Sequence, residues 1–199
     1  MKILIDNGHG EETPNKRSPD GKLREFAYTR EIARAVVRRL RRSGVDADLL
    51  VHETNDVSLK ERVRRVNEYC NILGASNVAL VSIHNNAYKD NGEWQTPRGW
   101  SAYTTKGQTS SDKLAAVLYE EAIANFKGHK IRLDISDGDN DWEENFYILV
   151  KTKCTAVLTE NFFMDNKKDV QYLLSSKGKD TIIRTHVNAI VKYIKQITQ

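Results

Sequence analysis

Ile3-Leu4-Ile5-Asp6-Asn7-Gly8-His9-Gly10 opens with an apolar, partly β-branched triplet and runs directly into a polar loop flanked by glycines. The triplet reads as a short buried strand and the loop as its carboxyl end, which delivers His9 at a strand terminus. The same design recurs further along: Asn77 to Ile83 is a third strand that runs into His84-Asn85-Asn86. Between the two lie helical and strand signals in alternation. Tyr28, Ile32, Val36 and Leu40 recur every four residues up to Gly44, which predicts a helix with an arginine-rich outer face. Val45 to Val51 reads as a second strand. Ser58-Leu59-Lys60-Glu61 is a capping box opening a helix with Leu59, Val63, Val66, Cys70 and Leu73 on its apolar stripe. The order βαβαβ with short loops favours a parallel sheet covered by helices on both faces, and ligands of such sheets collect beyond the carboxyl ends of the strands.

Beyond His84 the pattern continues with a polar loop from Tyr88 to Gly99, a short strand at Trp100 to Thr104 and an amphipathic helix from Ser110 to Phe126. Gly128 to Glu144 is irregular and ends in an acidic run from Asp137. Phe146 to Val150 and Thr155 to Thr159 read as two strands, the second leading into Glu160-Asn161. A C-terminal helix carries Ile183, Val187, Ile190, Ile194 and Ile197 on one stripe. No repeat or linker interrupts residues 1–199, so the reading is one α/β domain with a mostly parallel, twisted sheet and no separate binding domain.

Composition narrows the class. Of 199 residues, 39% are hydrophobic and 29% charged, proportions that exclude collagen-like, disordered and membrane-spanning chains. A chain this long buries enough surface to stand without a structural metal or disulfide, so a metal found here is functional. The 31 Lys and Arg against 27 Asp and Glu leave a formal charge of only +4, too little to argue for a nucleic-acid partner. Cys70 and Cys154 have no metal-ligand spacing and read as core thiols. The apolar run at the N-terminus is too short for a secretion signal, so synthesis in the cytoplasm is expected.

Three strand ends thus present a metal or acid–base residue along one sheet edge: His9, His84 and Glu160. Imidazole and carboxylate are the ligands of zinc hydrolases, in which three protein groups leave one position for water. Glu25, just ahead of the first long helix in a loop starting at the same edge, is the leading candidate for a further ligand; Glu11, Glu12 and Asp20 are its rivals. Glu160 sits between an apolar strand and Phe162-Phe163-Met164, where an unpaired carboxylate is costly and a raised pKa suits proton transfer. The arginine run Arg38-Arg39-Leu40-Arg41-Arg42 reads as a solvated helix face. The acidic run fails as a calcium loop because Trp142 and Ile148 occupy positions that need Gly and Glu. His186, beside the helical core stripe, reads as structural.

The blocks Leu4 to Gly10, Glu25 before a helix, Leu59 with Arg62 and Asn67, Ser82-Ile83-His84-Asn85-Asn86-Ala87, and Val157-Leu158-Thr159-Glu160-Asn161-Phe162-Phe163 with Asn166 together resemble the type 3 N-acetylmuramoyl-L-alanine amidases. The resemblance spans nearly the whole chain, and its ending looks closer to phage-lysin and prophage members. It implies a hydrolase with one zinc per chain, His9, Glu25 and His84 as metal ligands, and Glu160 as catalytic glutamate. The substrate implied is peptidoglycan, cut between N-acetylmuramic acid and L-alanine. Glu11, where members often have a second Gly, and His52, where they often have Arg, depart from the pattern. Asn86, Tyr88, Trp94 and Trp100 are candidates for a substrate-facing wall, with core or loop anchoring as the alternative for the aromatics. A monomer without membrane insertion is expected. The rival readings are a zinc peptidase acting on another amide and a non-catalytic wall-binding module.

Overall fold

The computed structural model describes every residue except Asp90, Asp137 and Gln199, so the start of the acidic run lies outside the described residues. Six strands, β1 (Lys2–Asn7), β2 (Ala47–Leu49), β3 (Val78–Asn86), β4 (Ser101–Thr104), β5 (Trp142–Glu143) and β6 (Thr155–Phe163), form one sheet in the order β2-β1-β3-β6-β4-β5. All neighbours are parallel except β4 and β6, which run antiparallel. The helices are α1 (Glu25–Arg42), α2 (Leu59–Leu73), α3 (Ser110–Asn125), α4 (Tyr147–Lys151), α5 (Lys167–Leu174) and α6 (Ser176–Ile197). None is long and apolar enough to cross a membrane.

Strand alternation divides the core in two. Ile3, Ile5, Ala79, Val81, Ile83 and Val157 face α1, α3 and α6, which supply Ile32, Val36, Leu40, Leu114, Leu118 and Ile190. Leu4, Val78, Leu80, Ala156 and Leu158 face α2 and α4, which supply Val63, Val66, Ile148 and Leu149. Helices therefore cover both faces of a mostly parallel sheet.

Four local readings need correction. Phe146 to Val150 is not a strand: α4 occupies Tyr147–Lys151, with Ile148 and Leu149 buried side by side and Tyr147 and Val150 exposed, a one-sided helical turn rather than alternation. The second strand shrinks to Ala47–Leu49, the residues in register with Ile3, Leu4 and Ile5 of β1. Helix α1 begins three residues before its apolar stripe, so Glu25 is its first residue and not part of a loop. On α2, Leu59 and Leu73 are exposed while Val63, Val66 and Cys70 are buried. Ser58 Oγ accepts from Glu61 N at 3.2 Å, but the Glu61 carboxylate turns outward to Arg64 and Arg65, leaving the capping box half made.

Arg38, Arg41 and Arg42 are exposed, with Arg39 paired to Asp180 and Arg41 to Asp48, a solvated face. Both thiols are free; Cys70 is buried, and burial together with the neighbouring Cys70 pushes the Cys154 thiol well above its ordinary range.

Candidate metal and catalytic site

On the face toward α2, each central strand changes character near its carboxyl end. Leu4 gives way to Asp6, Leu80 to Ser82 and His84, and Leu158 to Glu160. His84 and Glu160 are register partners on β3 and β6, so their side chains leave the sheet on the same face. Past β1 the chain turns through Gly8 and His9, and His9 takes the left-handed conformation with φ 58°. Gly8 is demanded by contact: a Cβ there would lie 2.5 Å from the His84 ring. Three buried side chains grip the turn by successive carbonyls. Arg62 Nη1 donates to Asn7 O at 2.6 Å, Thr29 Oγ1 to Gly8 O at 3.2 Å and Arg30 Nη1 to His9 O at 2.8 Å.

Glu25 enters from the first turn of α1, where the helix dipole favours a carboxylate. It is fully buried; its Oε1 accepts from Asn85 N at 3.0 Å and lies 3.2 Å from His84 Nδ1. Its Oε2 is 3.5 Å from His9 Nε2 and has no hydrogen-bond partner among the described residues. The two imidazoles meet edge to face, with centroids 5.2 Å apart, and one ligand atom from each of His9, Glu25 and His84 lies within 4.8 Å of the others. A buried anionic oxygen without a donor, opposed by two imidazoles, is a donor set that fits a divalent cation of zinc's preferences.

The electrostatics follow from this clustering. Burial lowers His9 to about 4 against the attraction of Glu25. Burial also opposes charge on His84, but the Glu25 hydrogen bond and the nearby carboxylates outweigh it and raise the ring above its ordinary value. Burial pushes Glu25 upward, and the contact and charge of His84 reverse the sign, leaving the group lowered. Glu160 is raised to about 8, chiefly by burial, with Glu25 adding to the shift and His84, Lys16 and Arg132 opposing it. Its Oε2 is buried and has no hydrogen-bond partner among the described residues.

His9, His84 and Glu160 open into a cavity of about 370 Å³ with Phe146, Tyr147 and Leu158 on one side and Asp6 and Arg62 at its base. Asp6 and Arg62 form a buried ion pair, and Asp6 Oδ2 also accepts from Ser82 Oγ at 2.6 Å. Sequence reasoning gave these two no role. The available signal was a charged residue at the end of an apolar strand and another directly beside the apolar stripe of α2.

The remaining candidates separate clearly. The rivals to Glu25 point elsewhere: Glu11 lies near Arg24, Glu12 accepts from Asp56 N and Asp20 from Ser18. Asn86 is half-buried beyond His84 and Tyr88 is exposed. Trp94 is half-buried against the core beneath Lys167. Trp100 faces no wall at all: it is 0% exposed, packed edgewise on Tyr119, and its Nε1 donates to Asn161 Oδ1 at 3.0 Å. Asn161 Nδ2 in turn donates to His84 O at 3.1 Å, across the irregularity where β3 and β6 shift register and Phe162 adopts φ 65°. Trp100 is therefore an anchor for the backbone of the site.

The profile of the N-acetylmuramoyl-L-alanine amidase family matches residues 3–192. The chain belongs to this amidase family. N-acetylmuramoyl-L-alanine amidase CwlM of Bacillus licheniformis is 32% identical over 195 residues, covering 96% of this amidase chain and 68% of that protein. The sporulation-specific N-acetylmuramoyl-L-alanine amidase of Bacillus subtilis is 29% identical, covering 96% and 67%. Among solved structures, an N-acetylmuramoyl-L-alanine amidase from Clostridium difficile 630 superposes with a TM-score of 0.80 at 26% identity, over 98% of this chain and 96% of that one. The amidase fold thus accounts for the whole sheet and for the helices on both of its faces.

Proposed function

We propose that His9, Glu25 and His84 hold one zinc ion, and that the chain hydrolyses the amide between the lactyl group of N-acetylmuramic acid and L-alanine in peptidoglycan, with Glu160 carrying the proton. Membership of the amidase family supports the bond and the substrate. The residue roles rest on one observation: Glu25 Oε2 and Glu160 Oε2 are buried carboxylate oxygens with no hydrogen-bond partner among the described residues, gathered with two imidazoles at one sheet edge.

Bound zinc supplies Lewis acidity toward a carbonyl and toward water. Glu160 takes the proton of the attacking water and returns it to the leaving L-alanine nitrogen, a task suited to a carboxyl held near neutrality, at about 8 before any cation acts on it. Glu25 fixes the His84 ring through Nδ1 while the Gly8–His9 turn is held by Arg30, Thr29 and Arg62, so both imidazoles are pre-positioned. All four groups come from a single copy, so the centre needs no residue from a second one.

The test is product analysis. Zinc-supplemented chain acting on purified muropeptides should release free L-alanine amino ends from the intact sugar. Cleavage within the stem peptide instead would make the chain a peptidase.

A further inference from the structure

A second cavity, of about 440 Å³, lies just beyond the metal site along the same two strands. Its floor includes Asn86 and Phe163, which are register partners past the irregularity that follows His84 and Glu160. Arg98, Lys130 and Arg132 line it, and among the described residues none of the three makes an ion pair. Arg98 and Arg132 are half-buried and Lys130 is exposed. Arg132 lies over the rings of Trp142 and Phe163, at 4.9 and 5.2 Å, which fixes the plane of its guanidinium. Two acids of neighbouring elements hold backbone amides, and the Arg98 charge also acts on Asp169. Asp169 Oδ2 accepts from Gly99 N and Phe163 N, and Asp165 Oδ2 from Tyr88 N and Lys89 N. Arg132 is close enough to Glu160 for its charge to oppose the rise of that carboxyl, which ties the cavity to the reacting centre.

Three cations thus line one cavity without an ion-pair partner among the described residues, and the two guanidinium forks have the geometry that matches a carboxylate. Asn86 is two residues past His84, about 7 Å at the rise of a strand. The second residue of an extended peptide lies at a similar distance, roughly 7 Å, from the amide that precedes its first residue. In peptidoglycan that second residue is D-glutamate joined through its side chain, whose α-carboxylate is either free or amidated. Building on the amidase reading above, we infer that Arg98, Lys130 and Arg132 bind the free α-carboxylate of the second stem residue and make the chain selective for the unamidated stem.

The test uses the full zinc-supplemented chain and two soluble muropeptides that differ only in carrying an α-carboxylate or a carboxamide at the second residue. The acid should be preferred in kcat/KM by about 10-fold, the size expected of charge-assisted hydrogen bonds. Arg98→Gln combined with Arg132→Gln should raise KM for the acid by about the same factor and abolish the preference, with zinc content unchanged; any change in kcat from losing the Arg132 charge near Glu160 should be equal for acid and amide. Lys130→Gln, at an exposed position where misfolding is not at issue, should weaken the preference in the same direction. Calorimetric binding of L-alanyl-D-glutamate whose γ-carboxyl is blocked as an N-methylamide, and of the corresponding α-carboxamide, reads the cavity without turnover, so a chain that binds the acid selectively but cuts neither muropeptide would refute the amidase assignment and leave the subsite standing. Equal handling of acid and amide by the wild-type chain, or a preference that survives the double variant, would overturn the inference. So would inhibition by a soluble wall polyphosphodiester that disappears in the double variant while the acid preference persists, which would assign the cavity to phosphate instead.

Discussion

His84 and Glu160 are register partners on the adjacent parallel strands β3 and β6. Two central strands fix the separation and the facing of these side chains, which is more rigid support than a loop gives. The distinction between ligand and proton carrier then depends on what else reaches each group. His84 meets Glu25 at 3.2 Å, whereas one oxygen of Glu160 has no hydrogen-bond partner among the described residues.

Gly8→Ala tests how tightly the turn and the ring are fitted. The new methyl would lie 2.5 Å from two atoms of the His84 imidazole, so the ring must turn away from Glu25. Zinc affinity should fall by about 10-fold or more, and equilibrium titration against a competing chelator reads it. Unchanged affinity would show that the ring has room to spare.

Arg62 and Asp6 are each almost fully buried, and removing one partner strands the other's charge. Arg62→Ala should cost about 3–5 kcal/mol in urea unfolding. Asp6→Asn, which leaves Arg62 its bonds to Asn7 O and Val57 O, should cost less. The reverse order would remove the pair from its role in holding the His9 turn.

Trp100→Phe keeps the ring in the core and deletes the hydrogen bond to Asn161. The expected result is a loss of stability on the order of 1 kcal/mol or somewhat more, with KM for muropeptide unchanged. A large rise in KM with stability intact would return Trp100 to the substrate wall.

His186 donates from Nδ1 to Ile182 O, which leaves Nε2 to accept from Thr159 Oγ1 next to Glu160. Burial lowers its pKa to about 4, against 6.5 when exposed. Between those values the unfolded chain binds a proton that the folded chain refuses, so stability is full above about pH 6.5 and falls as pH drops toward 4. The contribution is at most about 3 kcal/mol. Urea unfolding at pH 7 and pH 5 should show a smaller pH dependence in His186→Gln than in the wild-type chain; an identical dependence would mean that the imidazole titrates normally in the fold.

His9, His84 and Glu160 could be placed together from the sequence because parallel strands end in a common place: an apolar run followed by His or Glu marks both the strand and its carboxyl edge. Glu25 was legible by type and not by setting, since the apolar stripe of α1 starts at Tyr28 and hides the turn before it. Phe146 to Val150 misled because five apolar residues fit a strand as well as a helical turn, and only packing against α2 decides between them. Trp100, Asp6 and Arg62 were opaque for a shared reason. Whether a large or charged side chain faces solvent depends on distant partners, Asn161 and Tyr119 for the first and each other for the pair.

The most direct test of the centre is an equilibrium zinc titration of the wild-type chain, Glu160→Gln and Glu25→Gln, with muropeptide turnover recorded on the same samples. The expected result is that Glu160→Gln binds one zinc as tightly as the wild-type chain and loses at least about 100-fold in turnover, while Glu25→Gln binds zinc about 10-fold or more weakly and recovers activity with added metal. A metal-poor Glu160→Gln beside a metal-replete, inactive Glu25→Gln would contradict the account and exchange the two roles.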